Sequence, residues 1–449
     1  MEWLIDKMKG SGNQIAVVFN KREYSYEELG KLIDIYYFAV KEKLILGETV
    51  AIISDYSFES IALFLALCKN KNIIVPITTK IDSEIEERIK VADCHYRICI
   101  LENGDLDILW EKVQAPVHEL IQKVISKQHA GLILFSSGST GKPKAMIHDL
   151  DNLINSYQRK KGKKLVFLIF LMFDHIGGLN TLLNCLAMGV TMVFPDNREP
   201  EHVSCLIERY RVNILPVSPT FLNLILISES YMRYDMSSLR MITYGTEPMP
   251  DSLLAKLKDI FPRVKFLQTF GTSETGISQT SSKSSDSTFI KIDDPNTEYK
   301  IVGNELWIRS KTQIIGYLNS SMERFTDDGW FKTGDLVEEA EDGYIKIVGR
   351  NKELINVGGE KVLPSEVESV LFQIPDIMDC LVYGEANPIT GQMVVAKVLF
   401  KNALKTSDAK KMIVQFCKGK IDSYKIPAKV ILMSESEYSE RFKKKRIKL

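Results

Sequence analysis

The chain has 449 residues, 45% of them hydrophobic and 26% charged, as in a soluble globular protein of more than one domain. Lys+Arg and Asp+Glu are both 58, so the formal net charge is zero, and the basic face of a nucleic-acid binder is not indicated. The seven cysteines are irregularly spaced and the six histidines scattered. That argues against a disulfide framework or a clustered metal site, and for a cytoplasmic protein with reduced thiols.

The start, Met1-Glu2-Trp3-Leu4-Ile5-Asp6, lacks the basic and apolar regions of a signal peptide. Residues 16–19 read as a short strand. Ser25, followed by Glu27 and Glu28, reads as the N-cap of a helix. Residues 50–54 form a second strand, residues 60–67 an apolar helix, and residues 73–77 a third strand. The alternation continues through strands at 165–173, 190–194, 214–217, 241–243 and 265–268, and implies an α/β fold with mainly parallel sheets. Residues 165–173 are the longest apolar run. They are about half of a membrane-spanning helix, so no membrane span is expected, and they read as a buried parallel strand. Two polar stretches read as loops: 278–287, with six serines, and Gly349-Arg350-Asn351-Lys352-Glu353. About a hundred residues follow the second, enough for a small domain. The expected division is a large N-terminal domain, 1–351, and a small C-terminal α+β domain, 352–449.

The richest chemistry lies in Ser136-Ser137-Gly138-Ser139-Thr140-Gly141-Lys142-Pro143-Lys144, where an apolar strand runs into hydroxyls, two glycines and two lysines. Glycine allows close approach to an anion. Hydroxyls and amides donate to phosphate oxygens, and the lysines offset their charge. The spacing is not that of a Walker loop. A Ser/Gly cluster also makes ordinary turns, but two lysines flanking a proline favour phosphate.

This loop resembles the phosphate-binding signature of the adenylate-forming superfamily, which includes acyl-CoA synthetases and adenylation domains; Ser136 and Ala145 replace the usual Thr and Gly. Further segments are similar to that family's motifs in the family's order. Gly245-Thr246-Glu247-Pro248 resembles the segment that contacts adenine through its backbone, with the Glu247 side chain expected to point away. Gln268-Thr269-Phe270-Gly271-Thr272-Ser273-Glu274 resembles the next signature. There the resemblance implies Phe270 packing on adenine, Ser273 at the α-phosphate and Glu274 binding Mg²⁺, beside Thr269 and Gly271. Gly329-Trp330-Phe331-Lys332-Thr333-Gly334-Asp335 implies that Asp335 accepts hydrogen bonds from the ribose, which Arg350 also reaches. Lys352 would be the hinge of a mobile C-terminal domain, and Gly359, in Gly358-Gly359-Glu360-Lys361, would line the thiol tunnel. Near the C-terminus Lys443 aligns with the catalytic lysine, with Phe442 where glycine is usual; Lys444 or Lys445 could serve instead.

The resemblance implies that ATP and a small-molecule carboxylic acid form an acyl-adenylate and pyrophosphate. The acyl group then passes to coenzyme A or to phosphopantetheine on an acyl carrier protein. The acid pocket is expected beside Asp174, His175 and Gly271, with Gly177 and Gly178 leaving room for the acyl group. His175 resembles an acyl gate. Asp174 stands where amino-acid-activating members bind an α-amino group, so a stand-alone amino-acid adenylation enzyme is the alternative; Asp174 could also cap the following helix. The expected assembly is a monomer or homodimer.

Overall fold

A computed structural model describes residues 1–111, 117–137 and 143–444. Two seven-stranded sheets make the large domain. One runs, in spatial order, Gly316–Tyr317, Pro143–Asp149, Gly131–Ser137, Ile73–Ile77, Thr49–Ile53, Tyr96–Ile100 and Leu106–Trp110. The other runs Lys265–Gln268, Met241–Tyr244, Ile214–Val217, Val166–Leu168, Thr191–Val193, Ile15–Phe19 and Arg22–Ser25. Their central strands are parallel; antiparallel pairs close both edges of the first sheet and one edge of the second, whose other edge strand, Lys265–Gln268, is parallel to its neighbour. The expected α/β architecture is what forms.

The helix Phe58–Lys69 is buried on every side from Ser60 to Cys68, as its unbroken apolar sequence requires. It packs in one core with Val17, Val50, Ile74 and Met192, residues drawn from both sheets. Ser25 caps Tyr26–Lys43 through a reciprocal box with Glu28.

Two sequence expectations need correction. Within 165–173 only Val166–Leu168 is strand. Its neighbours Thr191–Val193 and Ile214–Val217 are as short, so no ladder continues. The rest stays largely buried and turns toward the cleft, with Phe170 and Phe173 in the core. The serine-rich stretch 278–287 is not a plain loop: it supplies the strand Thr280–Ser282. Its hydroxyls also finish an exposed sheet edge. Ser282 Oγ accepts from Gln268 N at 3.2 Å, Ser285 Oγ accepts from Phe266 N at 2.9 Å, and Thr280 Oγ1 donates to Gln268 O at 2.6 Å.

A six-stranded antiparallel sheet follows, ordered Thr280–Ser282, Ile290–Ile292, Ile345–Arg350, Phe331–Glu339, Glu305–Ser310 and Thr297–Val302. After the short turn Asn351–Glu353 the chain forms a mixed five-stranded sheet around the long hairpin Ile377–Asn387 and Gly391–Phe400. The helices Pro364–Leu371 and Thr406–Cys417 cover this sheet, with Pro364 in the first helical turn. Its core, from Ile355 to Val430, is separate from those of the large domain. Among the described residues no helix is long and apolar enough to cross a membrane. All seven cysteines are free thiols.

Candidate active site

The strands Gly131–Ser137 and Pro143–Asp149 pair antiparallel, with Ser136 opposite Lys144 and Ser137 opposite Pro143. Gly138, Ser139, Thr140, Gly141 and Lys142 at the tip lie outside the described residues. The Lys144 ammonium stands 5.5 Å from the centre of the Tyr317 ring. The Tyr317 hydroxyl donates to Glu274 Oε1 at 2.9 Å. Burial, and then the Glu274 charge, push the phenol well above its ordinary pKa, so it remains a donor.

Glu274 is buried at the tip of the hairpin Phe270–Thr272 and Gly276–Ser278. Thr272 Oγ1 accepts from Thr275 N at 3.1 Å, and Gly276 takes φ +78°, which favours glycine. This fixes Ser273 and Glu274 in the turn. A Cβ on Gly271 would come within 2.4 Å of Gly276 O, so Gly271 is what lets the hairpin close. The Phe270 ring is 8% exposed and packs with Ile290, Ile308 and Val337 in the core of the antiparallel sheet.

Gly245 follows the strand Met241–Tyr244 and abuts Thr269, whose carbonyl and hydroxyl oxygens would both lie 2.8 Å from an added Cβ. Thr246 has φ +74°, and its hydroxyl is buried without a hydrogen-bond partner among the described residues. The Glu247 carboxylate turns to other work. Oε1 accepts from Thr220 N at 2.8 Å, capping the helix Pro219–Ser228, and Oε2 accepts from Lys444 N at 3.3 Å. Asp335 and Arg350 face each other across the antiparallel sheet, and Arg350 Nε donates to Asp335 Oδ1 at 2.8 Å.

The C-terminal hairpin closes the cleft. Tyr438 bridges to Lys444, and Ser439 N donates to Lys443 O at 2.9 Å. Phe442 takes φ +52°, the left-handed conformation that glycine adopts readily. Its ring lies between Phe170, Phe221 and Tyr438, at centroid distances of 5.0, 5.4 and 5.2 Å. Ser218 Oγ donates to Phe442 O at 2.6 Å. Lys443 thereby lines the same pocket as Thr246, His175 and Arg441. Burial first, then the charges of Arg350 and Arg441, push its ammonium down to about 8. Lys444 turns away: its Nζ donates to Cys380 O at 2.6 Å and to Glu368 Oε2 at 3.4 Å. Lys445 lies outside the described residues.

His175 caps the helix Ile176–Met188, its Nδ1 accepting from Gly177 N at 3.1 Å. Burial, with Lys443 and Arg441 nearby, keeps the ring neutral. The helix-cap reading of Asp174 is therefore corrected, because the neighbouring His175 has that role. Asp174 is 5% exposed, and its Oδ2 accepts from both Arg88 and Arg441 at 3.3 Å. The expected room at Gly177 and Gly178 is corrected too. A Cβ on Gly178 would sit 2.1 Å from Met172 O, and one on Gly177 3.0 Å from Leu171 Cδ1, so the protein itself fills that space.

Gly359 sits at the exposed tip of the hairpin Ile355–Val357 and Glu360–Val362, with φ +96° and open space around it. Lys352 is exposed in the turn between the sheets. Sequence reasoning missed Tyr317, Arg88 and Arg441. Gly316-Tyr317 fits a segment between the family's signatures without a role being marked there, and no motif gives Arg88 or Arg441 a role; each acts through a partner far along the chain.

A layered nucleotide-site domain, closed by a lysine-bearing hairpin from a small C-terminal domain, defines the class of adenylate-forming enzymes. The sequence matches the AMP-binding enzyme family over residues 6–318 and the AMP-binding enzyme C-terminal domain over residues 366–443. The chain belongs to that family, and is an acid–thiol ligase of the AMP-forming kind. It is 26% identical over 488 aligned positions to the indoleacetate–CoA ligase of Aromatoleum aromaticum, covering 97% of this chain and 94% of that one. A probable CoA ligase of Humulus lupulus is 30% identical over 338 positions, 69% of this chain and 61% of that protein. The fold is that of the anthranilate CoA ligase AuaEII in complex with anthranoyl-AMP, with TM-score 0.82, 20% identity, and coverage of 98% and 94%.

Proposed function

We propose that the enzyme activates an organic carboxylic acid that carries no ammonium group, and transfers the acyl group to the thiol of coenzyme A. In the first step a carboxylate oxygen attacks the α-phosphorus of ATP, the α–β phosphoanhydride bond breaks, and pyrophosphate leaves. The attacking group is already an anion, so the protein's task is to position it and neutralise phosphate charge. Lys443 carries this reading: with Arg441 bound to Asp174 and Lys444 turned toward Glu368, its ammonium lines the pocket with Thr246 and His175. The orphaned Thr246 hydroxyl offers the nucleotide a donor there.

In this reading residues 136–144 receive the β- and γ-phosphates, Ser273 and Lys443 the α-phosphate, and Asp335 and Arg350 the ribose. Gly245, Thr246 and Phe270 bound the adenine side. Glu274 is a single buried carboxylate, and no cluster of three metal-ligating side chains occurs among the described residues. That donor set fits magnesium, which binds through one or two carboxylates plus phosphates and water. The metal would neutralise phosphate charge. In the second step the thiolate attacks the acyl carbon and AMP leaves, after the domain beginning at Lys352 has turned Gly359 toward the thiol path.

Coenzyme A is the acceptor named for the relatives. The contacts of Asp174 support an acid without an ammonium: such a group would have to sit beside two guanidiniums already bound to that carboxylate. The test is pyrophosphate release across a panel of aryl, fatty and amino acids, with and without coenzyme A. The reading predicts release with an organic acid and thioester only when coenzyme A is added. Selective release with an amino acid would overturn it.

A further inference from the structure

We propose that Arg441 is the positioning residue that seats Lys443 for adenylation, by docking onto Asp174 when the C-terminal hairpin enters the cleft. This rests on the two-step reading above and extends it to how the first conformation is held and released.

Among the described residues, four contacts stand out where the hairpin meets the large domain. Ser218 bonds the Phe442 carbonyl, Glu247 receives the Lys444 amide, and the Phe442 ring meets Phe170 and Phe221. The fourth joins Arg441 to Asp174 at 3.3 Å, and among them it alone pairs two charged side chains. It lies two residues from Lys443, within a turn whose 439–443 hydrogen bonds leave little freedom between the two side chains. Fixing the Arg441 guanidinium therefore fixes where the Lys443 ammonium can go.

The contact is also built to be broken. A buried carboxylate stripped of its partner is strongly destabilising. Asp174 avoids this because Arg88 binds the same oxygen, Oδ2, at 3.3 Å, and Arg88 is itself paired with Glu84 at 3.4 Å. When the hairpin withdraws, Arg88 remains. Two guanidiniums on one oxygen also repel each other, which weakens the second contact. The arrangement holds Arg441 in one conformation without trapping the domain there.

The test combines Arg441→Gln, Asp174→Asn and the double variant with two measurements. The first is the rate of each half-reaction, using acyl-adenylate supplied separately for the second. The second is amide hydrogen exchange of residues 438–444 without turnover. Each single variant is expected to lower the first half-reaction by about tenfold through kcat. The second half-reaction should be within twofold of wild type, and the double variant no worse than either single one. Exchange in the hairpin should rise in all three, and Arg441→Lys should restore part of the protection. Unchanged exchange, equal loss of both half-reactions, or a rise in KM for the acid at constant kcat would overturn the proposal. The exchange measurement decides the docking role even for a wild-type protein that releases no pyrophosphate, a result that would count against the functional reading alone.

Discussion

Phe442 and Phe170 pack ring against ring with centroids 5.0 Å apart, joining the C-terminal hairpin to the wall of the large domain. The phenylalanine does this from φ +52°, a conformation that costs an L-residue roughly 1–2 kcal/mol. Glycine would remove that strain but also three aromatic contacts, each worth about 0.5–1.5 kcal/mol beyond area burial. Phe442→Gly is therefore expected to weaken docking and lower the rate of pyrophosphate release, with the second half-reaction little affected. A faster first step in Phe442→Gly would mean that the backbone strain outweighs the anchor.

The depressed Lys443 ammonium gives a pH dependence with two opposite signs. The charged form is needed at the phosphate, so kcat/KM for the first step should fall as pH rises through about 8. Bound phosphate restores the charge, so the alkaline limb of kcat should lie at higher pH than that of kcat/KM. Stability behaves inversely. Between about 8 and the ordinary lysine value of 10.5 the unfolded chain binds more protons at this residue than the native one. This group's contribution therefore becomes less unfavourable as pH rises across that window, and its burial penalty is fully present below it. Arg350 and Arg441 deepen the depression, while Glu247 and Asp335 oppose it. The pH–rate profile of Arg441→Gln should accordingly be displaced upward.

Lys352 lies in an exposed turn between two sheets, where a dihedral change disturbs no core. Proline fixes φ, so Lys352→Pro should keep ATP–pyrophosphate exchange and lose thioester formation by tenfold or more, on the order of 1.4 kcal/mol in barrier. Half-reaction assays decide the matter. Equal loss of both steps, with a lowered melting temperature, would point to damage to the fold instead.

What could be read from the sequence was local. Ser25 with Glu28 announced a capped helix, Pro364 a helix start, and the strand residues 73–77 and 265–268 their own boundaries. What could not be read depended on partners remote in the chain. Asp174 and Arg441 are separated by 267 positions, so nothing nearby signals that one holds the other. In the basic run 443–448 the resemblance favours Lys443, but with Phe442 in place of glycine it leaves Lys444 and Lys445 open. The fold separates two of them, because the hairpin turns Lys443 into the cleft and leaves Lys444 against Glu368 and the Cys380 carbonyl. Gly178 looked like free volume in the sequence, yet the Met172 carbonyl occupies the space a side chain would need. The serines of 278–287 read as solvated loop because hydroxyls are common there; three of those residues instead complete a sheet edge.

The most direct test of the account is Lys443→Ala measured in both half-reactions. Losing one aimed donor at a developing phosphate charge should lower ATP–pyrophosphate exchange by about 10²–10³-fold. Thioester formation from supplied acyl-adenylate should continue at close to the wild-type rate, and Lys444→Ala should retain exchange to the extent that the hairpin still docks. Undiminished exchange in Lys443→Ala would contradict the assignment of this lysine, and with it the reading of the cleft.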